Sequence, residues 1–446
     1  MPTHAPDLLP TPPGGRGLPV LGETLEFIGG FTKFLESRRN RYGPIFVASL
    51  FGKPTVFMRG AEANRWIYAG EGKYLENEWT PAIAKLFATG STAMLSGAEH
   101  KARRKLLAPH FRRTRMEDCI PAMVDITGTH LAQWATDAEH GPLTILPRMR
   151  ALSLEIVANY VLGDISELGV SLAEFSREFN TWVAGMFVPF ALAIPGGKFA
   201  RALAARKRML ALLGELVGRR AAEQRRGPDL LSVMLDARDD HGEPLPHPVL
   251  VDELLQLLFA GNDTTVTASV NLMYHLCVHP EAAIRTQIEQ DGLDDRGFCL
   301  TSIQAMTYLE AVIKESMRVV PFGGGFRVML EERNFAGFRI PKGWRIAVGP
   351  HAVHFEDDYY RDPQRFDPQR WLDPHARPPF AYIPFGGGPR TCLGMHFALL
   401  QMHVVLALLL REYEWDLVPG QDLRFNELPL PNLRSGLIVD LRRRAR

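Results

Sequence analysis

Long apolar runs, paired cysteines and an excess of either charge are all missing from this chain of 446 residues. Each absence closes off a class of protein. The densest apolar run, residues 404–410, falls well short of the roughly 20 residues a membrane-spanning helix needs. Residues 1–20 form a proline-rich lead with six prolines and neither an apolar core nor a cleavage site. Neither a signal peptide nor a membrane anchor is therefore expected. Lys and Arg number 51 against 50 Asp and Glu, a balance with no pull on nucleic acid. The four cysteines, Cys119, Cys277, Cys299 and Cys392, lie far apart and in no paired metal spacing. That fits a reducing, cytoplasmic setting rather than a disulfide framework. No phosphate-binding loop, flavin module, internal repeat or domain linker is found.

What the chain does have is apolar content, 46% of its residues, enough for a large core. Two β-like runs between Gly43 and Met58, broken by Gly52-Lys53-Pro54, predict a hairpin. Helical patterns cover 152–162 and 198–224, and a long helix is expected from Pro248 to Val278, closed by His279-Pro280. Residues 322–349 alternate glycine turns with short β-like runs. The expected fold is mainly α with a small β-rich region, in a single domain spanning 1–446.

Cys392 carries the strongest chemical signal. It follows Phe385-Gly386-Gly387-Gly388-Pro389-Arg390-Thr391 and precedes Leu393-Gly394, with a helix-forming run beyond. Glycines take backbone angles closed to other residues and let a flat ligand approach the main chain. A helix N-terminus favours a thiolate, and Arg390 can fork onto a carboxylate. The competing reading is an inert buried cysteine beside a glycine turn. Inside the long helix, Ala260-Gly261-Asn262-Asp263-Thr264-Thr265 places Ala260 and Thr264 on one face. A threonine hydroxyl there can bond back to the carbonyl four residues earlier and loosen the helix. Glu315 and Arg318 have the spacing of an intrahelical ion pair.

These motifs together resemble the cytochrome P450 family. Phe385, Gly388, Arg390, Cys392 and Gly394 match its haem-ligand signature, and 260–265 matches its oxygen-activating pattern. The likeness runs from about Leu18 to Asp440. It implies a P450 fold enclosing haem b (iron protoporphyrin IX) with Cys392 as the axial thiolate and metal ligand. Phe385, Gly386, Arg390, Gly394, Ala260 and Gly261 would line the cofactor. His100, Arg104 and Arg327 resemble the family's propionate donors, although many members carry tryptophan where His100 stands. Asp263 and Thr264 would manage protons for O2, the co-substrate. Glu315 and Arg318, completed by Arg365, resemble the family's structural network. Electrons would come from NAD(P)H through a separate ferredoxin and its reductase, docking an acidic partner on the thiolate side of a monomer.

The implied reaction is hydroxylation of a C–H bond in a lipophilic small molecule. Residues 13–24, 324–327 and 335–344 resemble the retinoic-acid hydroxylases, which points to a retinoid- or terpenoid-like substrate. Fatty-acid or polyketide-type substrates, a donor-independent peroxygenase or isomerase, and a non-enzymatic gas sensor or lipid carrier are the alternatives. Pocket walls are expected from Trp79 to Leu95, Met186 to Phe190 and Val320 to Phe322. The stretch 187–195 is read as a substrate lid, with contact to a membrane surface as the competing role.

Overall fold

His247–Val278 is one unbroken helix of 32 residues. Pro248 opens it, where a missing N–H costs nothing, and Pro280, whose ring disfavours a helical residue before it, closes it. The helix is buried on most sides, polar residues such as Glu253, Asn262, Thr267 and Asn271 included, and so is a core helix rather than a striped surface one. The computed structural model describes residues 8–15, 17–18, 22–87, 89–188, 191–239, 241–293, 297–373 and 377–444.

In chain order, the elements that frame the site begin with strands β1 (Phe46–Leu50) and β2 (Lys53–Phe57), helix α1 (Ala61–Gly70) and strand β3 (Leu75–Glu78). Helices α2 (Gly97–Leu107), α3 (Ile145–Leu162), α4 (Leu172–Ala184), α5 (Lys198–Ala222), α6 (His247–Val278) and α7 (Thr307–Val319) follow. Strands β4 (Gly325–Met329) and β5 (Arg345–Val348) precede helix α8 (Met395–Glu412).

The strands form one five-stranded sheet in the order β1-β2-β5-β4-β3, parallel between β2 and β5 and antiparallel elsewhere. The predicted hairpin is present. Its turn, however, is Phe51-Gly52, both at positive φ (50° and 75°), as a two-residue turn between right-twisted strands requires. Lys53 and Pro54 belong to β2. In the β3–β4 pairing Asn77 stands opposite Arg327, a register that matters for the site.

Helix α8 is long and apolar enough to cross a membrane by length and composition. It is a core element instead: every residue from Val404 to Leu410 is buried. Helix α3 packs along α6 so closely that a Cβ on Gly261 would lie 3.1 Å from Val157.

Candidate active site

The loop that presents Cys392 is shaped by its glycines. Gly386 and Gly388 have φ of 69° and 64°, the left-handed region that favours glycine. A Cβ on Gly387 would come within 2.8 Å of the Tyr68 ring, and one on Gly388 within 2.8 Å of the Tyr68 carbonyl oxygen. The sequence suggested that these glycines admit a flat ligand. The space their missing side chains leave is filled by Tyr68 of α1.

The loop closes where the Cys392 N–H donates to the Phe385 carbonyl over 2.9 Å. Helix α8 begins at Met395, and the Gly394 N–H just before it donates to the sulfur. Burial pushes the Cys392 thiol up, while the Gly394 N–H and the Arg104 charge pull it down. Enclosed by protein, the residue still exposes surface, because it lines a cavity of about 320 Å³ shared with Arg104, Phe111, Arg112, Arg113 and His396.

Around this loop the fold gathers cations. His100 and Arg104 sit one turn apart on α2. His100 is buried rather than solvated, and burial, then the charges of Arg390 and Arg104, push its pKa down to about 4. The ring is neutral at pH 7. Arg104 donates from Nη2 to the Thr391 carbonyl over 2.8 Å. Arg390 donates from Nη2 to the Leu95 carbonyl at 2.5 Å and from Nη1 to the Ala93 carbonyl at 3.5 Å. Arg327 is buried on β4 and bonded to Glu71 and Asn77. Burial, followed by the neighbouring charge of Arg327, lowers the Arg390 pKa.

Glu71 is the carboxylate that faces all three guanidiniums. No motif in the sequence marks it, because it reaches Arg327 across 256 residues of chain. Three cations around one buried anion leave unbalanced positive charge, which suits a ligand carrying carboxylates. With a polarised thiol alongside, the residues present fit a haem and its propionates.

On α6 the Thr264 hydroxyl donates to the Ala260 carbonyl over 2.8 Å, as its spacing predicts, and the helix stays unbroken. Ala260 is exposed and Thr264 half-buried, although Asn262, Asp263 and Thr265 beside them are buried. This face of the core helix is therefore open. The missing side chain of Gly261 admits Val157 of α3, so this glycine lets the two helices pack closely.

Asp263 turns toward α3, where Arg150 Nε lies 3.4 Å from its Oδ1, and its other oxygen is buried with no hydrogen-bond partner. Burial raises the Asp263 pKa and Arg150 opposes the rise. Both residues line a cavity of about 730 Å³ with Asn180, Phe187, Leu430 and Ser435. Arg150 was not anticipated from sequence.

The glutamate–arginine network also needs correcting. Glu315 and Arg318 are both 0% exposed and joined by two bonds of 2.8 Å. The arginine that completes the set is Arg370, whose Nε lies 3.0 Å from Glu315 Oε1, not Arg365. The side chain of Arg365 is exposed, and only its carbonyl takes part, accepting from Arg318 at 3.0 Å.

Beside α6 a chain of aromatic rings runs from the first predicted pocket segment into the core, where Phe87 and Trp182 are buried and Trp79 and Phe259 half-buried. The Trp79 and Phe87 ring centroids are 5.4 Å apart, Phe87 and Phe259 are 5.2 Å apart, and Phe259 and Trp182 are 5.8 Å apart. Phe322 packs against the same core, while Pro189 and Phe190 lie outside the described residues.

A sequence model of the cytochrome P450 family matches residues 12–435. A putative cytochrome P450 120 of Synechocystis is 34% identical over 97% of both chains. The protopanaxadiol 6-hydroxylase of Panax ginseng is 31% identical, covering 96% of this chain and 92% of its own. Among solved structures, a retinoic-acid-bound cyanobacterial CYP120A1 superposes with a TM-score of 0.90 at 33% identity, covering 98% of this chain and all of that one.

Proposed function

Since the chain belongs to the cytochrome P450 family and is thus a monooxygenase, we propose that it hydroxylates a C–H bond of a lipophilic, retinoid- or terpenoid-like molecule. The observation that carries this reading is Cys392: a thiol that exposes surface yet is enclosed, polarised by Arg104 and the Gly394 N–H beside the arginine cluster. Cys392 would hold the iron, and His100, Arg104, Arg327 and Arg390 the propionate side. Bound there, haem supplies the activation of O2 that no protein side chain can.

The protein's own part is positional and protonic. Ala260 and Thr264 present the open face of α6, and the Thr264 hydroxyl, held by the Ala260 carbonyl, offers its lone pairs to an incoming proton donor. Asp263 offers a buried carboxylate that takes up and passes on a proton, its pKa raised by burial and opposed by Arg150. Arg150, 38% exposed, links that carboxyl to the polar cavity and so to bulk water. This relay favours a donor-dependent monooxygenase over a peroxygenase.

Half-buried Trp79 and Phe259, backed by the buried rings of Phe87 and Trp182, suit an extended apolar substrate. So do the names of two relatives, one bound to retinoic acid and one acting on protopanaxadiol. Electrons would come from NAD(P)H through a ferredoxin and its reductase. Exposed Arg112 and Arg113, on the rim of the Cys392 cavity, offer an acidic redox protein a docking face.

The test is an optical titration of the purified ferric protein with retinoids, terpenes, fatty acids and macrolides. A saturable low-spin to high-spin shift with the first two classes is expected. A shift with fatty acids or macrolides alone would reject the substrate class. Cys392→Ser should abolish the thiolate-type carbon monoxide spectrum together with the activity.

A further inference from the structure

Arg327 reaches the site already held. It stands on β4 opposite Asn77 of β3, donates from Nη1 to Asn77 Oδ1 over 2.9 Å, and donates from Nε to Glu71. Neither side-chain contact uses Nη2. Glu71 follows directly on α1, its side chain is 3% exposed, and its Oε2 is buried without a hydrogen-bond partner. A carboxylate is costly to bury, so this one needs a reason beyond local packing. Its field also reaches the other two guanidiniums. Although burial comes first in lowering both pKa values, Glu71 acts to raise those of Arg104 and Arg390.

We propose that Glu71 is a positioning residue for the cofactor, which holds Arg327 at the propionate edge and supplies the anion that balances that edge. The inference rests on the reading of Arg327 as a propionate partner. Arg104, Arg327 and Arg390 contribute three positive charges and His100 is neutral. The two propionates of haem b and Glu71 contribute three negative ones, while Glu76, which also acts on Arg390, is only half-buried and screened by water. With Glu71 the buried site closes at neutrality; without it, a net cation stays in a low-dielectric pocket. Fixing the guanidinium beforehand also removes the cost of ordering a long side chain when the ligand arrives.

The same charge acts on the iron. Ferric haem carries one positive charge more than ferrous haem, so a nearby buried anion favours the ferric form. Glu71 therefore lowers the midpoint potential, which a residue serving packing alone would not do.

The experiment uses the haem-loaded enzyme and its Glu71→Gln, Glu71→Ala and Arg327→Leu variants. Two quantities are read: the midpoint potential and the rate of haem transfer to apomyoglobin. Glu71→Gln keeps an acceptor for Arg327 and removes the charge, so the potential should rise while haem transfer stays near that of the unaltered enzyme. Glu71→Ala should raise the potential and also speed haem loss roughly tenfold, as the loss of an outer partner does at metal sites. Arg327→Leu should speed haem loss.

If Arg327→Leu loses haem no faster, the propionate reading itself fails. If it does lose haem faster while both Glu71 variants match the unaltered enzyme, the role of Glu71 alone is overturned. Should Glu71→Ala not assemble, Glu71→Gln decides. A lowered thermal midpoint with an unmoved potential would make Glu71 a packing residue and sink the proposal.

Discussion

Thr264 and Asp263 are neighbours in sequence with different duties, and their surroundings separate them. Thr264 sits on the open face of α6 with its hydroxyl hydrogen engaged by Ala260, while Asp263 is buried against Arg150. Thr264→Ala should leave electron consumption in place while product falls and hydrogen peroxide rises, read as the ratio of product to NAD(P)H oxidised. Unchanged coupling would remove Thr264 from the relay. Asp263→Asn should cut turnover by roughly a hundredfold, the range of a lost proton-transfer group, with the substrate-induced spectral shift retained. Arg150 holds the Asp263 pKa down against burial. In Arg150→Leu that opposition is gone, so the acid limb of the pH–rate profile should move to higher pH. Cys392, Thr264 and Asp263 were legible from sequence because each lies in a short local motif. Arg150 and Glu71 were not, because a buried charge finds its partner through tertiary contact and local spacing holds no trace of it.

At the scale of elements, helix period explains which contacts could be read in advance. Glu315 and Arg318 are three apart on α7, and a helix brings such residues together wherever it occurs. The third arginine comes from a single 3-10 turn, Pro368–Trp371, far along the chain from α7, where spacing dictates no direction, and the sequence pointed to Arg365 instead. Glu315 accepts from Arg318, Arg370, the Asp367 N–H and Trp371. Glu315→Ala therefore strands two guanidiniums and should cost about 3–5 kcal/mol, while Arg365→Ala should stay within about 0.5 kcal/mol. Denaturant midpoints of the two variants measure this directly. A large loss in Arg365→Ala would restore the earlier assignment. The hairpin turn shifted for a related reason: Gly52 fixes that a turn occurs, but strand twist selects which two residues make it.

For the whole molecule, the mainly α architecture followed from helix-length apolar patterns and proline punctuation, both local properties of the chain. How the core handles protons did not. His100 and His351 are pushed down to about 4 and His275 to about 3, chiefly by burial, and His354 lies well below its ordinary value. Unfolded histidine titrates near 6.5, so below that pH the unfolded chain binds protons that the native state refuses. Native stability should be complete above about pH 6.5 and decline as pH falls from there toward 4. A thermal midpoint followed from pH 8 to pH 5 checks this, and a flat profile would contradict it.

Much of the stretch from Gly90 to Leu95 is held through its backbone. Asp252, Glu253 and Gln256 of α6 accept from the N–H groups of Gly90, Thr92 and Ala93, and Arg390 takes the carbonyls of Ala93 and Leu95. Thr92 aside, whose hydroxyl also meets Glu253, none of these bonds depends on a side chain of the stretch itself. Its frame can therefore persist while its lining is exchanged. Over evolutionary time such a chain can drift between substrates by single replacements, and in the laboratory the same stretch is the place to begin a search for new ones.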